Sequence, residues 1–365
     1  MNASHGIAGL RWVVFQLLEA CNLRCRMCYE WGETGTYKKL PDLNVLDIEI
    51  LCSVVEQCRE ARPYYEFFGG EPLLYPHLER AIRCIRERGS DVGIPTNGIL
   101  LEEQAEMLVS AQPTTLWVSL DGPRELNDHQ RGKGSFERVQ RGLEAVRRQR
   151  EKSGTAQPRL GILTTVTASN HTSLEELFFQ SLKLEELDCV GIVFQNFSTL
   201  EEHEAYAREL RVEFGIPSAP CARGYVRDPA LFASMDFTAL ARQVERIAKA
   251  CSDRGIAFYV HPKTIDAESY RHYFAARRRE IADFKSRCAF PWIYLEVAAS
   301  GETTPCHTFY DLSVGHAGRQ SIEEIWRGDA LQRLRARLRR GLMPNCAACC
   351  RYYNNTTSIT EAWSR

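Results

Sequence analysis

The most constraining feature of this chain is a group of three cysteines that directly follows an apolar run. The run is Trp12 to Leu18, and Cys21, Cys25 and Cys28 follow it with three and then two residues between them. Three thiolates so close in sequence can hold three irons of a 4Fe–4S cluster and leave the fourth iron open to a small ligand. The alternative is half of a zinc site that residues elsewhere in the chain complete.

Polar motifs follow the next apolar runs. Gly69-Gly70-Glu71-Pro72 comes after Tyr64 to Phe68, and Asn97-Gly98 and Asp121-Gly122 end the two runs after that. Glycine lets the backbone approach a ligand closely, and a carboxylate can bind an ammonium group. Asn-Gly and Asp-Gly are also common turn dipeptides, so each motif alone is compatible with an ordinary turn. Their order behind the cysteine triplet favours a ligand site.

The triplet followed by Gly-Gly-Glu-Pro resembles the radical S-adenosylmethionine (SAM) superfamily. In that family the open iron chelates SAM, and the Gly-Gly-Glu segment holds its amino group. The resemblance implies cofactor contacts from Met27, Tyr29, Gly69, Gly70, Glu71, Asn97, Ser119, Arg131 and Gln195. Met27 stands where the family often has an aromatic residue against adenine, and methionine is flexible enough to lie on a ring. Arg131 suits the SAM carboxylate because guanidinium can bind it bidentately, although a solvated loop arginine is the alternative.

Short apolar runs alternate with amphipathic segments from Arg11 to about Phe197, which predicts an α/β fold with a parallel sheet and a site at its carboxyl rim. The family resemblance implies a partial (β/α)6 barrel over residues 1–197. We expect the last barrel helix and a linking segment over residues 198–285, and a small hairpin and helix domain over residues 286–365. The predicted strands are Trp12 to Leu18, Tyr64 to Phe68, Val92 to Pro95, Thr115 to Leu120, Leu160 to Thr167 and Cys189 to Phe194. The predicted helices include Leu43 to Glu60, Pro76 to Arg88, Glu102 to Ser110, Ser135 to Arg148, Ser173 to Leu184 and Phe237 to Arg254.

A second group of cysteines lies near the C-terminus and comprises Cys288, Cys306, Cys346 and Cys349. Four thiolates can close the coordination of a 4Fe–4S cluster, and a zinc ribbon is the alternative on spacing alone. Beside a radical SAM core, the group resembles the Twitch domain, a shortened SPASM domain with one auxiliary cluster. Cys350 is an alternative fourth ligand, but the two-residue spacing favours Cys346 with Cys349.

The hairpin is predicted from Ile293 to Val297 with a turn at Ser300-Gly301, and one helix is predicted from Ser321 to Arg340. The odd-numbered arginines of that helix would spread around it, so we expect a solvated surface and not a nucleic-acid stripe.

The resemblance implies two 4Fe–4S clusters, SAM, and hydrogen abstraction by a 5'-deoxyadenosyl radical. The spacing of Cys288 and Cys306 is similar to that of the 2-deoxy-scyllo-inosamine dehydrogenases of aminoglycoside biosynthesis, which oxidise a secondary alcohol. This favours dehydrogenation of a sugar or aminocyclitol. The alternatives that stay open are peptide crosslinking or epimerisation, sugar epimerisation, dehydration and a non-catalytic metal-binding role. Catalytic candidates by residue type are Glu30 and His307 as bases and Cys221 as a hydrogen donor.

Charge and hydropathy limit the partners. The 365 residues carry 46 Lys and Arg against 47 Asp and Glu, which gives no overall field to attract nucleic acid or an anionic membrane. No apolar stretch is long enough to span a bilayer, and Met1 to Leu10 has no export-signal pattern. We therefore expect a cytoplasmic protein. The family resemblance implies a small polar or peptide substrate and a flavodoxin- or ferredoxin-type electron donor.

Overall fold

The computed structural model describes Ile7, residues 9–307 and residues 310–354. Most of the segment examined above for an export signal lies outside these residues, as does the side chain of Cys350. Within the described part, one sheet contains β1 (Trp12–Leu18), β2 (Tyr64–Gly69), β3 (Val92–Thr96), β4 (Thr115–Ser119), β5 (Arg159–Val166), β6 (Cys189–Phe194), β7 (Ala257–His261), β8 (Tyr294–Val297), β9 (Glu302–Thr304) and β10 (Gly315–His316).

The helices lie between and after these strands. They are α1 (Ile48–Gln57), α2 (Leu78–Arg86), α3 (Leu101–Ala111), α4 (Arg124–Arg131), α5 (Ser135–Ser153), α6 (Leu174–Glu176), α7 (Leu200–Phe214), α8 (Pro220–Arg223), α9 (Phe237–Asp253), α10 (Ala267–Phe274), α11 (Ile322–Arg327), α12 (Asp329–Arg339) and α13 (Cys350–Asn354). No described helix is both long and apolar enough to cross a membrane.

The sheet order is β10-β9-β8-β1-β2-β3-β4-β5-β6-β7. Strands β1 to β7 are parallel neighbours in chain order, and β8 pairs in parallel with β1. The alternation of strand and helix confirms the α/β class and the partial barrel. Strand β1 is buried along almost its whole length, as expected for a parallel strand covered on both faces.

The C-terminal hairpin continues the same sheet. Strand β8 pairs with β1 through Trp12 and Tyr294, and β9 returns antiparallel to β8. A buried ion pair between Arg351 and Glu66 of β2 adds a second contact. The C-terminal segment therefore packs against the strand that leads into the first cysteine group.

Two predicted helices differ from the observed ones. The segment from Ser173 has only the short α6, followed by a wide helical turn at Leu177–Ser181. The predicted helix from Ser321 is two helices, because Gly328 is extended (φ −63°, ψ 150°). A Cβ at Gly328 would lie 2.9 Å from the carbonyl oxygen of Glu324, so the break suits glycine.

The arginines of α12 are not all solvated, which corrects the expectation for that helix. Arg335 is buried and donates hydrogen bonds to the carbonyl oxygens of Pro291 and Trp326. Arg337 pairs with Glu209 of α7. These residues hold α12 against the rest of the fold.

Candidate active site

A cavity of about 240 Å³ lies at the carboxyl ends of the parallel strands. It is lined by the three cysteines of the first group and by all nine residues for which the sequence suggested cofactor contact. Glu30 also lines it. Parallel strands bring the loops after their carboxyl ends to one edge of the sheet, which is why motifs far apart in sequence meet here.

Hydrogen-bond donors surround the cysteine sulfurs. The backbone N–H of Leu23 lies 3.4 Å from Cys21 Sγ, and that of Trp31 lies 3.2 Å from Cys28 Sγ. Arg131 Nη1 lies 3.9 Å from Cys25 Sγ. Burial raises the pKa of the Cys28 thiol to about 11 and that of Cys21 to about 12. These thiols therefore ionise on binding metal, and the donors stabilise the resulting thiolates.

The thiols line the cavity but do not meet at one point. Among the described residues, no three His, Cys, Asp or Glu side chains are placed to hold a single metal ion. A zinc ion needs its sulfur ligands about 2.3 Å from one centre. The arrangement suits a cluster, which has several iron atoms for the thiolates to bind.

Two glycines allow β2 to end against the chain that leads to Cys21. Gly69 has φ +118°, and a Cβ at Gly70 would lie 2.0 Å from the carbonyl oxygen of Ala20. The N–H of Gly70 donates to Leu18, at 2.8 Å. The glycine pair thus fixes the cysteine loop beside the tip of β2.

Glu71 is 1% exposed and joins the tips of β2 and β3. One carboxylate oxygen accepts hydrogen bonds from Thr96 Oγ1 (2.7 Å) and Leu73 N (3.0 Å), and the other accepts from Asn97 N (2.8 Å). Burial raises the pKa of Glu71, and these hydrogen bonds oppose the shift. A carboxylate has about four acceptor positions, so one is left for a ligand.

Arg131 forms a buried ion pair that the sequence did not predict. Its Nε lies 2.7 Å from the carboxylate of Asp121, which is 1% exposed. Burial alone would lower the pKa of Arg131, but the charge of Asp121 holds it above its usual value. The sequence indicates a ligand site or an ordinary turn at Asp121-Gly122, and neither interpretation pairs Asp121 with Arg131. The pair orients Arg131 toward Cys25.

The second cysteine group also comes together. Cys288, Cys306, Cys346 and Cys349 line a separate small cavity beside Arg351 and Tyr352. Burial raises the pKa of the Cys346 thiol above its usual value. The four predicted thiols could thus hold a closed cluster, since each would ionise when metal binds.

The three catalytic candidates occupy different places. Glu30 is 5% exposed in the cavity wall, where burial raises its pKa to about 7. His307 is buried behind that wall, with Nε2 2.6 Å from Tyr29 Oη and Nδ1 3.4 Å from Glu296. The residues lining the cavity do not include Cys221, whose backbone N–H donates to Asp311 at 2.8 Å.

Sequence reasoning missed most partners of His307. Tyr310 contacts both His307 and Glu296, and Glu296 is fully buried on β8. Tyr225 stacks on Tyr29, with ring centroids 4.2 Å apart. A buried glutamate in the predicted hairpin strand was the one signal available for this cluster.

Comparison with known proteins agrees with the two cysteine groups. The sequence model of the radical SAM superfamily matches residues 15–156, and that of the SPASM iron–sulfur cluster-binding domain matches residues 288–350. A Pyrococcus furiosus protein named tungsten-containing aldehyde ferredoxin oxidoreductase cofactor-modifying protein is 24% identical over 93% of this chain and 87% of its own length.

Other relatives match in part. An uncharacterised protein of Methanothermobacter thermautotrophicus is 33% identical over 43% of this chain, and the match spans 58% of that protein. The serine-type anaerobic sulfatase-maturating enzyme of Bacteroides thetaiotaomicron is 27% identical over 48% of this chain and 43% of its own length.

Solved structures support the fold. Streptococcus suis SuiB bound to S-adenosylmethionine gives a TM-score of 0.60 at 16% identity, over 88% of this chain and 66% of SuiB. The expected similarity to 2-deoxy-scyllo-inosamine dehydrogenases has only a weak counterpart. BtrN in complex with AdoMet and 2-DOIA gives a TM-score of 0.42 at 13% identity, over 96% of this chain and 94% of BtrN.

The two domain matches imply SAM and two iron–sulfur clusters as cofactors. The chain therefore contains a radical SAM domain, followed by an iron–sulfur cluster-binding domain of the SPASM type.

Proposed function

We propose that this radical SAM enzyme cleaves SAM reductively and removes a hydrogen atom from a C–H bond of its substrate, in a net two-electron oxidation. The observation that carries the proposal is the meeting of the cysteine triplet, Glu71 and Arg131 in one cavity, with a second four-cysteine site in the same fold.

The residues divide the work of holding the cofactors. Cys21, Cys25 and Cys28 would hold three irons of a 4Fe–4S cluster, and the spare acceptor position of Glu71 would take the amino group of SAM. Asn97, Ser119 and Gln195 line the same cavity and would present polar groups to the rest of SAM, and Met27 would offer an apolar surface for adenine.

A 4Fe–4S cluster held by Cys21, Cys25 and Cys28 would supply the electron for reductive cleavage of SAM to methionine and the 5'-deoxyadenosyl radical. The protein must keep water away from that species, and the buried cavity wall formed by Glu30, Glu71 and Arg131 fits this need. The abstracted hydrogen atom leaves with 5'-deoxyadenosine.

Oxidation of the substrate radical requires a place for one electron and one proton. The second cluster, held by Cys288, Cys306, Cys346 and Cys349, would accept the electron. Either Glu30, which lines the cavity, or His307, which is hydrogen-bonded to the cavity residue Tyr29, could take the proton. The first cluster would draw its electron from a flavodoxin- or ferredoxin-type donor.

The substrate we favour is a secondary alcohol of a sugar or aminocyclitol, oxidised to a ketone. This rests on the spacing of Cys288 and Cys306. A second candidate is oxidation of a peptide side chain, favoured by the identity to the sulfatase-maturating enzyme. Both substrates lose two hydrogens overall.

The test is formation of 5'-deoxyadenosine by anaerobically reconstituted, reduced protein, with aminocyclitols, sugars and short peptides added in turn. We expect about eight irons per chain and faster formation with one substrate class. Cys25→Ala should abolish the formation of 5'-deoxyadenosine. Cys52→Ala, which changes a cysteine outside both groups, is the matched control. An iron-loaded wild type that forms no nucleoside would refute the proposal.

A further inference from the structure

Three charged side chains line the cavity, and two of them have partners. Glu71 accepts hydrogen bonds from β2 and β3, and Arg131 is paired with Asp121. Glu30 differs, because its Oε1 is buried and has no hydrogen-bond partner among the described residues. The side chain is 5% exposed and belongs to the cavity wall. Burying a carboxylate oxygen without a hydrogen-bond donor costs free energy. A ligand that enters the cavity with a donor group would remove that cost.

Glu30 and Glu71 lie at different parts of the cavity. Glu71 lies at the tip of β2 and accepts a hydrogen bond from Thr96 of β3, whereas Glu30 lies in the cysteine loop, two residues after Cys28. A SAM molecule whose amino group is at Glu71 therefore leaves Glu30 for another ligand.

The surroundings of Glu30 are negatively charged. Glu19 and Glu296, both buried, act on it along with one basic group, His307. His307 already contacts Glu296 and Tyr29. Three buried carboxylates with one imidazole favour a cation more than a neutral donor.

We propose that Glu30 anchors an alkylammonium group of the substrate. The assignment of Glu30 deepens the proposed function. It rests on that function only because it takes the cavity to be the substrate site. Two substrate classes carry an alkylammonium group: a peptide with a lysine side chain, and an amino sugar or aminocyclitol.

The test measures binding without turnover. Cluster-loaded protein is kept oxidised with SAM present, and calorimetry compares n-pentylammonium with 1-pentanol. We expect wild type to bind the ammonium at least about tenfold more tightly, as hydrogen bonds to charged groups require. Equal binding of the two probes, or no binding of either, would overturn the proposal. This comparison needs no variant, so it stands even if a substituted protein does not fold.

Variants then locate the effect. Glu30→Gln keeps the shape and removes the charge, and it should weaken ammonium binding at least about tenfold. Glu33→Gln changes an exposed carboxylate of the same loop and should have no effect. Wild-type affinity in Glu30→Gln would refute the assignment.

Competition identifies the source of the amine. Nα-acetyl-lysine methylamide and glucosamine are each tested for displacement of n-pentylammonium. Displacement by one names its class, and displacement by neither counts against the proposal. Because no SAM is cleaved in these measurements, their failure leaves the proposed function intact, and failed nucleoside formation leaves the binding result intact.

Discussion

Single residues at the strand ends serve the architecture as much as the ligand. Gly70 was expected to let the backbone approach a cofactor, and in the structure its close neighbour is the carbonyl of Ala20. Glu71 likewise uses three of its acceptor positions within the fold. The motif therefore positions the cysteine loop through contacts within the protein, as well as lining the cavity.

Gly70→Ala should disrupt the first cysteine group selectively. The added Cβ would meet backbone atoms of Glu19 and Ala20, which cannot rotate away as a flexible side chain would. We expect iron content after reconstitution to fall from about eight to about four per chain. Gly89→Ala is a stringent control, because Gly89 has open space around it although its φ of +72° is unfavourable for alanine, whereas Gly70 has no such φ. Full iron loading of Gly70→Ala would show that the cysteine loop can shift to accommodate the added Cβ and still bind its cluster.

Arg131→Met should be strongly destabilising, because it leaves the carboxylate of Asp121 buried without its cation. Breaking a buried pair in this way costs about 3–5 kcal/mol. Arg124→Met is a matched control on the same helix, since its pair with Glu137 is exposed and such pairs are worth about 0–1 kcal/mol. Urea unfolding of the three proteins measures the difference. Similar urea midpoints for both variants would mean that the hydrogen bonds from Gln130 and Thr165 are enough to stabilise the buried carboxylate of Asp121.

At the scale of elements, the sequence predicted those strands whose apolar runs are continuous. Strands β1 to β6 were found within a few residues, because burial on both faces leaves an unbroken apolar signature. Strand β7 was missed because it is an edge strand with mixed exposure, and Tyr259 on it is 46% exposed. The break at Gly328 was missed because a helical pattern continues on both sides of it.

Strand β7 should contribute a pH-dependent part of stability through His261. Burial, with the nearby charges of Lys263 and Arg351, lowers the pKa of His261 to about 4. The unfolded value is about 6.5, so on acidification the unfolded chain takes up this proton first. The contribution is therefore present above about pH 6.5 and is lost as pH falls toward 4, by up to roughly 3 kcal/mol.

His261→Gln should flatten that part of the pH profile of urea unfolding between these limits. The same change at His129, which is exposed on α4, is the control. If the profile of His261→Gln matched wild type, other groups would account for the acid sensitivity.

At the scale of the molecule, the two cysteine groups are joined through residues that directly follow their cysteines. Tyr29 follows Cys28, His307 follows Cys306, and the two side chains share a 2.6 Å hydrogen bond. Most of the cavity residues were predictable from the sequence, because they belong to the cysteine triplet or to the motifs that end β2, β3 and β4. The Tyr29–His307 contact was not, because it joins residues 278 apart in sequence and depends on the pairing of β8 with β1.

A double-mutant cycle tests whether this contact couples the two parts of the chain. Tyr29→Phe and His307→Asn each remove the hydrogen bond, so the double variant should lose less stability than the sum of the single ones. We expect a coupling energy of about 1 kcal/mol from urea unfolding. Tyr29→Phe combined with Tyr259→Phe is the control, because Tyr259 contacts Trp117 and lies on the far edge strand, so that cycle should be additive. Additivity in both cycles would mean that the hydrogen bond does not couple the two parts and that other contacts hold the C-terminal hairpin in place, such as the pairing of β8 with β1 and the hydrogen bond from Ala299 N to Gln16 Oε1.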